Sequence, residues 1–125
     1  MSESREFTTE EVRRQFLEQV WSNIKYWGEL INEQIANGTA TERTTMDRLQ
    51  GLAFSILVTL DGGSIPLPSF VVAPSPHPSD KQYNIDNGSN YFPENHESNV
   101  SADISGCLHE LFHGVGREMG MIKDE

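Results

Sequence analysis

The sequence has little cysteine, few basic residues and no long apolar run, and each scarcity excludes a class of protein. The one cysteine among 125 residues, Cys107, cannot form a disulfide within the chain or a thiolate zinc cluster. Nine Lys and Arg against 19 Asp and Glu give a formal charge of -10, which opposes binding to nucleic-acid phosphates or to an anionic membrane surface. No segment is apolar over the length that a bilayer requires. We therefore expect an acidic protein that binds neither nucleic acid nor membrane.

The N-terminal residues also lack the apolar stretch of a secretory signal peptide. Residues 1–6 are polar and lead directly into an amphipathic segment. Together with the single cysteine, this pattern predicts a cytoplasmic protein in a reducing environment. The length suits a single domain spanning residues 1–125, in which we expect residues 1–7 to be flexible.

A long N-terminal helix is the clearest structural signal. Thr8-Thr9-Glu10-Glu11 has the pattern of a capping box, in which a threonine and a glutamate three residues later cap the helix start. Apolar residues then recur at helical spacing: Val12, Phe16, Val20, Ile24, Trp27, Ile31 and Ile35. Asn37-Gly38 is a typical helix end. The pattern predicts a helix over residues 9–36.

The segment from Met46 to Leu60 supports two interpretations. Its second half, before Asp61-Gly62-Gly63, could be the first arm of a β-hairpin. A helix is favoured, because good helix formers begin the segment and its end is apolar nearly all round, as in a buried helix. The predicted core face has six members: Met46, Leu49, Ala53, Ile56, Leu57 and Leu60. We therefore predict a second, buried helix.

An extended segment and a long loop follow, and they give the predicted α+β class. Residues 64–73 contain the strand signal Phe70-Val71-Val72, while Pro66 and Pro68 restrict the segment to a sheet edge. Residues 74–99 are rich in Pro, Asn, Ser, Asp and Gly and predict a long irregular loop. A short strand over residues 82–85 could pair with Phe70-Val71-Val72.

The last predicted element is an amphipathic C-terminal helix over residues 102–119. Six residues form its expected core face: Ile104, Leu108, Leu111, Phe112, Val115 and Met119. A second stripe, almost opposite, contains both histidines of the helix and three glycines: Gly106, His109, His113, Gly116 and Gly120. Because glycine destabilises a helix, this stripe suggests that a ligand, a metal or another backbone approaches the histidines closely.

His109-Glu110-Leu111-Phe112-His113 has the His-Glu-x-x-His spacing, at which one helical turn offers two imidazoles to a zinc ion. Glu110 would then be the general base, and a third zinc ligand would have to come from upstream. The candidates are His77, Asp80, Asp86, Glu94 and His96. The alternative is that these are two solvated histidines on a polar helix face.

Residues 109–116 resemble the helix of zincin metallopeptidases, including the metzincin glycine at Gly116, and the C-terminal motif of small acidic minimal zincins. The resemblance implies that His109 and His113 bind zinc and that Glu110 is catalytic. Met119 stands where a metzincin has its third histidine.

As a whole, the chain loosely resembles small uncharacterised proteins of bacteria and their phages. In these proteins a Leu-Asp-Gly segment, a proline-flanked strand and a terminal Leu-His-Glu segment follow one another. We therefore expect a non-enzymatic accessory protein whose acidic surface and aromatic-containing loop bind a protein partner, which could be basic. The alternative function is a small zinc-dependent hydrolase.

Overall fold

The protein is all-helical in the computed structural model, which describes residues 4–94 and 101–122. Its helices are α1 (Thr9–Ala36), α2 (Thr44–Leu60), α3 (Asp80–Asp86) and α4 (Leu108–Glu118). These described ranges contain no β-strand, so the predicted α+β class is wrong. The chain divides into two compact units, one with α1, α2 and α4, and another, within residues 71–101, with α3.

The first helix, α1, corresponds to the predicted helix over residues 9–36. Thr8 Oγ1 accepts a hydrogen bond from the Glu11 backbone N–H (3.1 Å), and the Thr8 backbone N–H donates to the Glu11 carboxylate (3.0 Å). These two bonds form the capping box. At the other end, Gly38 has a φ of 71°, a left-handed conformation that glycine adopts without steric cost.

The second helix, α2, packs antiparallel to the C-terminal half of α1 through polar contacts. The Trp27 indole N–H donates to Ser55 Oγ (2.8 Å), and Arg48 Nε donates to Gln34 Oε1 (2.7 Å). Gly51 lies under the Trp27 ring, and a Cβ at this position would come within 2.5 Å of the ring. The missing side chain lets Trp27 pack closely against α2.

The predicted burial of α2 is wrong, because its apolar face points outward. Only Thr44 and Thr59 of this helix are buried. The core-facing prediction holds in part, since Ile56 and Leu60 pack against the core. Four large apolar side chains are instead between 51% and 68% exposed: Leu49, Leu57, Met46 and Phe54. The hydrogen-bonding side chains of α1 orient α2 so that its Ser55 side points inward.

The core lies where the N-terminal half of α1 meets α4. Its buried members are Phe16, Leu17, Val20, Trp21, Ile104 and Val115. The Trp21 ring stacks on Phe112 with the ring centroids 4.4 Å apart, and its indole N–H donates to the Phe112 carbonyl oxygen (2.8 Å). Arg14 of α1 also forms an ion pair with Glu118 at the end of α4. These contacts fix α4 along α1.

The predicted edge strand over residues 64–73 is also wrong. The Phe70 backbone N–H donates to the Leu60 carbonyl oxygen (2.8 Å), so the segment is tied to the end of α2. Pro66 and Pro68 offer no backbone N–H to a neighbouring strand. The partner strand predicted over residues 82–85 does not exist, because these residues belong to α3.

The last helix, α4, is shorter than the predicted helix over residues 102–119. Ala102 has a φ of 64° and Gly106 a φ of 107°, and neither value is helical. Between them the Ser105 backbone N–H donates to the Asp103 carboxylate (2.9 Å), and this bond lowers the pKa of Asp103. The turn delays the start of α4 to Leu108.

The second unit contains α3, which interrupts the predicted long loop over residues 74–99. At the start of α3, the His77 backbone N–H donates to the Asp80 carboxylate (3.0 Å). Lys81 lies 3.7 Å from the Glu94 carboxylate and 5.3 Å from the centre of the Tyr91 ring. No residue between 71 and 94 is buried. Among the described residues of the protein, no helix combines the length and apolar character needed to cross a membrane.

Candidate functional site

The histidines of the predicted zinc motif lie in the first two turns of α4. The His109 side chain is 86% exposed and the Glu110 side chain 68% exposed, with His109 Nε2 4.0 Å from Glu110 Oε1. His113 is also exposed, and its ring packs edge-on against Phe112 with the centroids 5.2 Å apart. Both imidazoles are therefore accessible to a ligand from solvent.

Two open grooves run along α4, and the motif is divided between them. His109 and His113 border an apolar groove of about 350 Å³, lined by Phe16, Leu17, Val20, Ile56, Leu108 and Phe112. Glu110 lines another groove of about 430 Å³, together with residues from the first turns of α1. The two predicted zinc ligands and the predicted base thus line different grooves.

The glycine-lined stripe expected beside the histidines is not formed. Gly106 precedes α4 and Gly120 follows it, both with positive φ angles. Gly116 is buried and faces α1, where a Cβ would overlap the Trp21 ring. Leu111, which was expected to face the core, is 43% exposed. Gly106 and Gly120 therefore allow the backbone turns before and after α4, and Gly116 leaves space for the Trp21 ring.

The predicted third ligands have local partners within the second unit. His77 Nδ1 lies 2.7 Å from Ser79 Oγ, and the Asp80 carboxylate accepts the His77 backbone N–H. The Asp86 carboxylate accepts a hydrogen bond from Gln82 Nε2 (2.8 Å). The Glu94 carboxylate pairs with Lys81. The remaining candidate, His96, lies outside the described residues.

A catalytic zinc site takes three protein ligands. Within residues 4–94 and 101–122, no three His, Cys, Asp or Glu side chains are placed so that they could hold a metal ion. His109 and His113 supply two imidazoles, one helical turn apart. That a loop residue completes this pair stays a prediction.

Two exposed apolar surfaces are further candidates for a functional site. One is the outward face of α2, which the sequence pattern assigned to the core. A signal for its true orientation was present, because Gly51, Ser55 and Thr59 form a small, polar stripe on the opposite side of the helix. The other surface is the aromatic segment, residues 71–94, whose apolar side chains are exposed.

Comparison with protein-family models, with curated proteins and with solved structures finds no significant match to this chain.

Proposed function

We propose that this protein is a small acidic accessory protein of the cytoplasm, which acts by binding another protein. The observation that carries the proposal is the exposure of apolar side chains in the aromatic segment. Six of them are between 46% and 75% exposed: Val71, Val72, Tyr83, Ile85, Tyr91 and Phe92. They all belong to one short segment, and exposed apolar surface of this kind is typical of sites that bind other proteins.

The segment has enough local order to present these side chains. Lys81 holds Tyr91 and Glu94 close to α3 through its charge. The Asn87 side-chain amide donates to the Tyr83 carbonyl oxygen (2.7 Å) at the end of α3. Partial order before binding reduces the entropy lost when a partner binds. Tyrosine and phenylalanine are enriched at the centres of protein interfaces.

Charge favours a basic partner. The chain has a formal charge of -10. In the aromatic segment, Asp80, Asp86 and Glu94 outnumber the one basic residue, Lys81, whose ammonium group is paired with Glu94. An acidic surface attracts a basic protein and repels an acidic one, so it contributes to both the rate and the specificity of binding. The single, half-buried Cys107 suits the reducing cytoplasm.

The experiment compares three full-length baits in a pull-down at low salt: the wild type, a Tyr83→Ser, Phe92→Ser double variant, and Tyr26→Ser. Tyr26 is a matched control, since it is an exposed tyrosine (58%) on α1. We expect the wild type and Tyr26→Ser to retain the same basic protein, and the double variant to retain roughly tenfold less of it.

A binary measurement with the purified partner completes the test. We expect its affinity to fall as salt is raised, because screening weakens attraction between opposite charges. Equal capture of every recovered protein by the double variant would contradict the proposal, as would an affinity that does not depend on salt.

The zinc-dependent hydrolase remains the alternative function, with His109 and His113 as ligands and Glu110 as base. Its support is the accessibility of both imidazoles beside an apolar groove. The proposal of a binding protein is preferred, because it requires no residue beyond those whose positions are described.

A further inference from the structure

We propose that the outward face of α2 forms the interface of a two-fold symmetric dimer with a second copy of this chain. This α2 face consists of Met46, Leu49, Ala53, Phe54 and Leu57, all of them exposed. The inference goes beyond the proposed function, since it concerns a different surface and a different partner from the aromatic segment.

Although Ile56 and Leu60 pack against the core, α2 exposes much of the apolar surface that a surface helix in a monomer would bury. Such a helix normally directs its apolar stripe to the core and its polar side to solvent. Here Ser55 and Arg48 face α1 with hydrogen bonds, while the α2 face lies in solvent. A contiguous apolar face of this kind marks an interaction site.

The spacing of the α2 face is symmetric about Ala53. Leu49 and Leu57 lie four residues to either side. In an antiparallel pair of helices centred on Ala53, Leu49 of one copy therefore opposes Leu57 of the other, and both are exposed. A two-fold interface requires this self-complementarity, and the small Ala53 side chain lets two helices approach closely at the crossing point.

The charges of α2 favour a second copy over a foreign partner. Asp47 and Arg48 are the only charged residues in its sequence, and Arg48 is turned toward Gln34. The α2 face itself has no charged side chain that could select a partner of opposite charge. The net charge of -10 opposes self-association, but at physiological ionic strength screening confines that repulsion to roughly 8 Å.

The area also agrees with a dimer. More than half of each large side chain on the α2 face is exposed. Covering these side chains in two copies would remove on the order of 1,000 Å² from water, which is the lower bound for a specific interface.

The first test measures the mass of the full-length protein by sedimentation equilibrium, for the wild type, Ala53→Arg and Ser22→Arg. Both substitutions add one positive charge at an exposed helical position. We expect twice the chain mass of 14.1 kDa for the wild type and Ser22→Arg, and the single-chain mass for Ala53→Arg. Two arginines at the two-fold axis would repel each other and weaken the dimer roughly 100-fold. Circular dichroism checks that α-helix content is retained.

The second test examines the register with single cysteines in a Cys107→Ser background. Ala53→Cys should form a disulfide-linked dimer under mild oxidation, because the two residues meet at the axis. Asp47→Cys should not, since antiparallel pairing separates the two copies of residue 47 by about 18 Å along the helices. A monomeric wild type, a dimer that tolerates Ala53→Arg, or equal cross-linking at both positions would overturn the proposal.

Discussion

Gly116 shows how one missing side chain determines the packing of α4 on α1. The Trp21 indole occupies the space where a Cβ at residue 116 would lie, and it donates to the carbonyl oxygen of Phe112, one turn earlier. A side chain at this position would separate the ring from both the helix backbone and the Phe112 ring. Gly116 therefore allows a tryptophan to be buried with its N–H satisfied.

Gly116→Ala is expected to destabilise the protein by about 1–3 kcal/mol, the usual effect of overpacking a core. Gly114→Ala is the matched control on the same helix, since a Cβ there meets no atom within 4 Å. Because alanine favours helix over glycine, Gly114→Ala should be neutral or stabilise by up to ~1 kcal/mol. Urea denaturation measures both changes, and equal unfolding free energies for the two variants would contradict this account.

The histidine pair is expected to bind zinc reversibly and too weakly for the metal to remain through purification. Two imidazoles from one helical turn leave the other positions of a tetrahedral ion to water. Isothermal titration calorimetry should show one zinc per chain, with no binding by the His109→Ala, His113→Ala double variant and unchanged binding by Glu110→Gln. Near-stoichiometric zinc in protein purified without added metal would instead indicate a third ligand and support the hydrolase.

At the scale of elements, the start of α1 is sensitive to acid. The Arg5 guanidinium donates two hydrogen bonds to the Glu11 carboxylate (2.8 and 2.7 Å), and Thr8 donates a third. These bonds lower the pKa of Glu11 from 4.5 to about 2. The Arg5 hydrogen bonds contribute most, and the Thr8 hydrogen bond contributes next. A carboxyl whose pKa is lower in the folded state stabilises that state when it is ionised.

The contribution of Glu11 to stability is therefore complete above about pH 4.5 and disappears as the pH falls toward 2. Carboxyl carbon chemical shifts, measured during an acid titration, should place the Glu11 midpoint near the lower value. Arg5→Gln should raise that midpoint, while Arg14→Gln, which alters the ion pair with Glu118, should leave it unchanged. An unaltered midpoint in Arg5→Gln would show that Arg5 does not hold this carboxylate in solution.

The helices differ in how well local sequence predicts them. The limits of α1 follow from the Thr8 capping box and from Gly38, both of which act within a few residues. The start of α4 could not be predicted from its apolar spacing, because a left-handed turn at Ala102 interrupts the pattern. For α2, spacing indicates a helix but not which side meets α1, since that depends on partners such as Trp27, 28 residues before Ser55.

At the scale of the whole molecule, the sequence predicted the accessible position of His109 and His113 but not their surroundings. An exposed helical turn is a local property, whereas the groove beside it is built from α1, α2 and α4 together. The predicted strands failed because β-branched and aromatic residues form strands only where a pairing partner exists. The residues expected to pair with Val71 and Val72 belong to α3 instead.

The position of α1 between two partners has a consequence for synthesis of the chain. Its C-terminal half contacts α2. Trp21, in contrast, contacts Phe112, which lies 91 residues later in the sequence. Because nearby segments meet sooner than distant ones, a nascent chain can form the α1–α2 hairpin while the side of α1 that packs against α4 is still uncovered. Trp21, which stacks on Phe112, is then a residue that a chaperone would shield until α4 has left the ribosome.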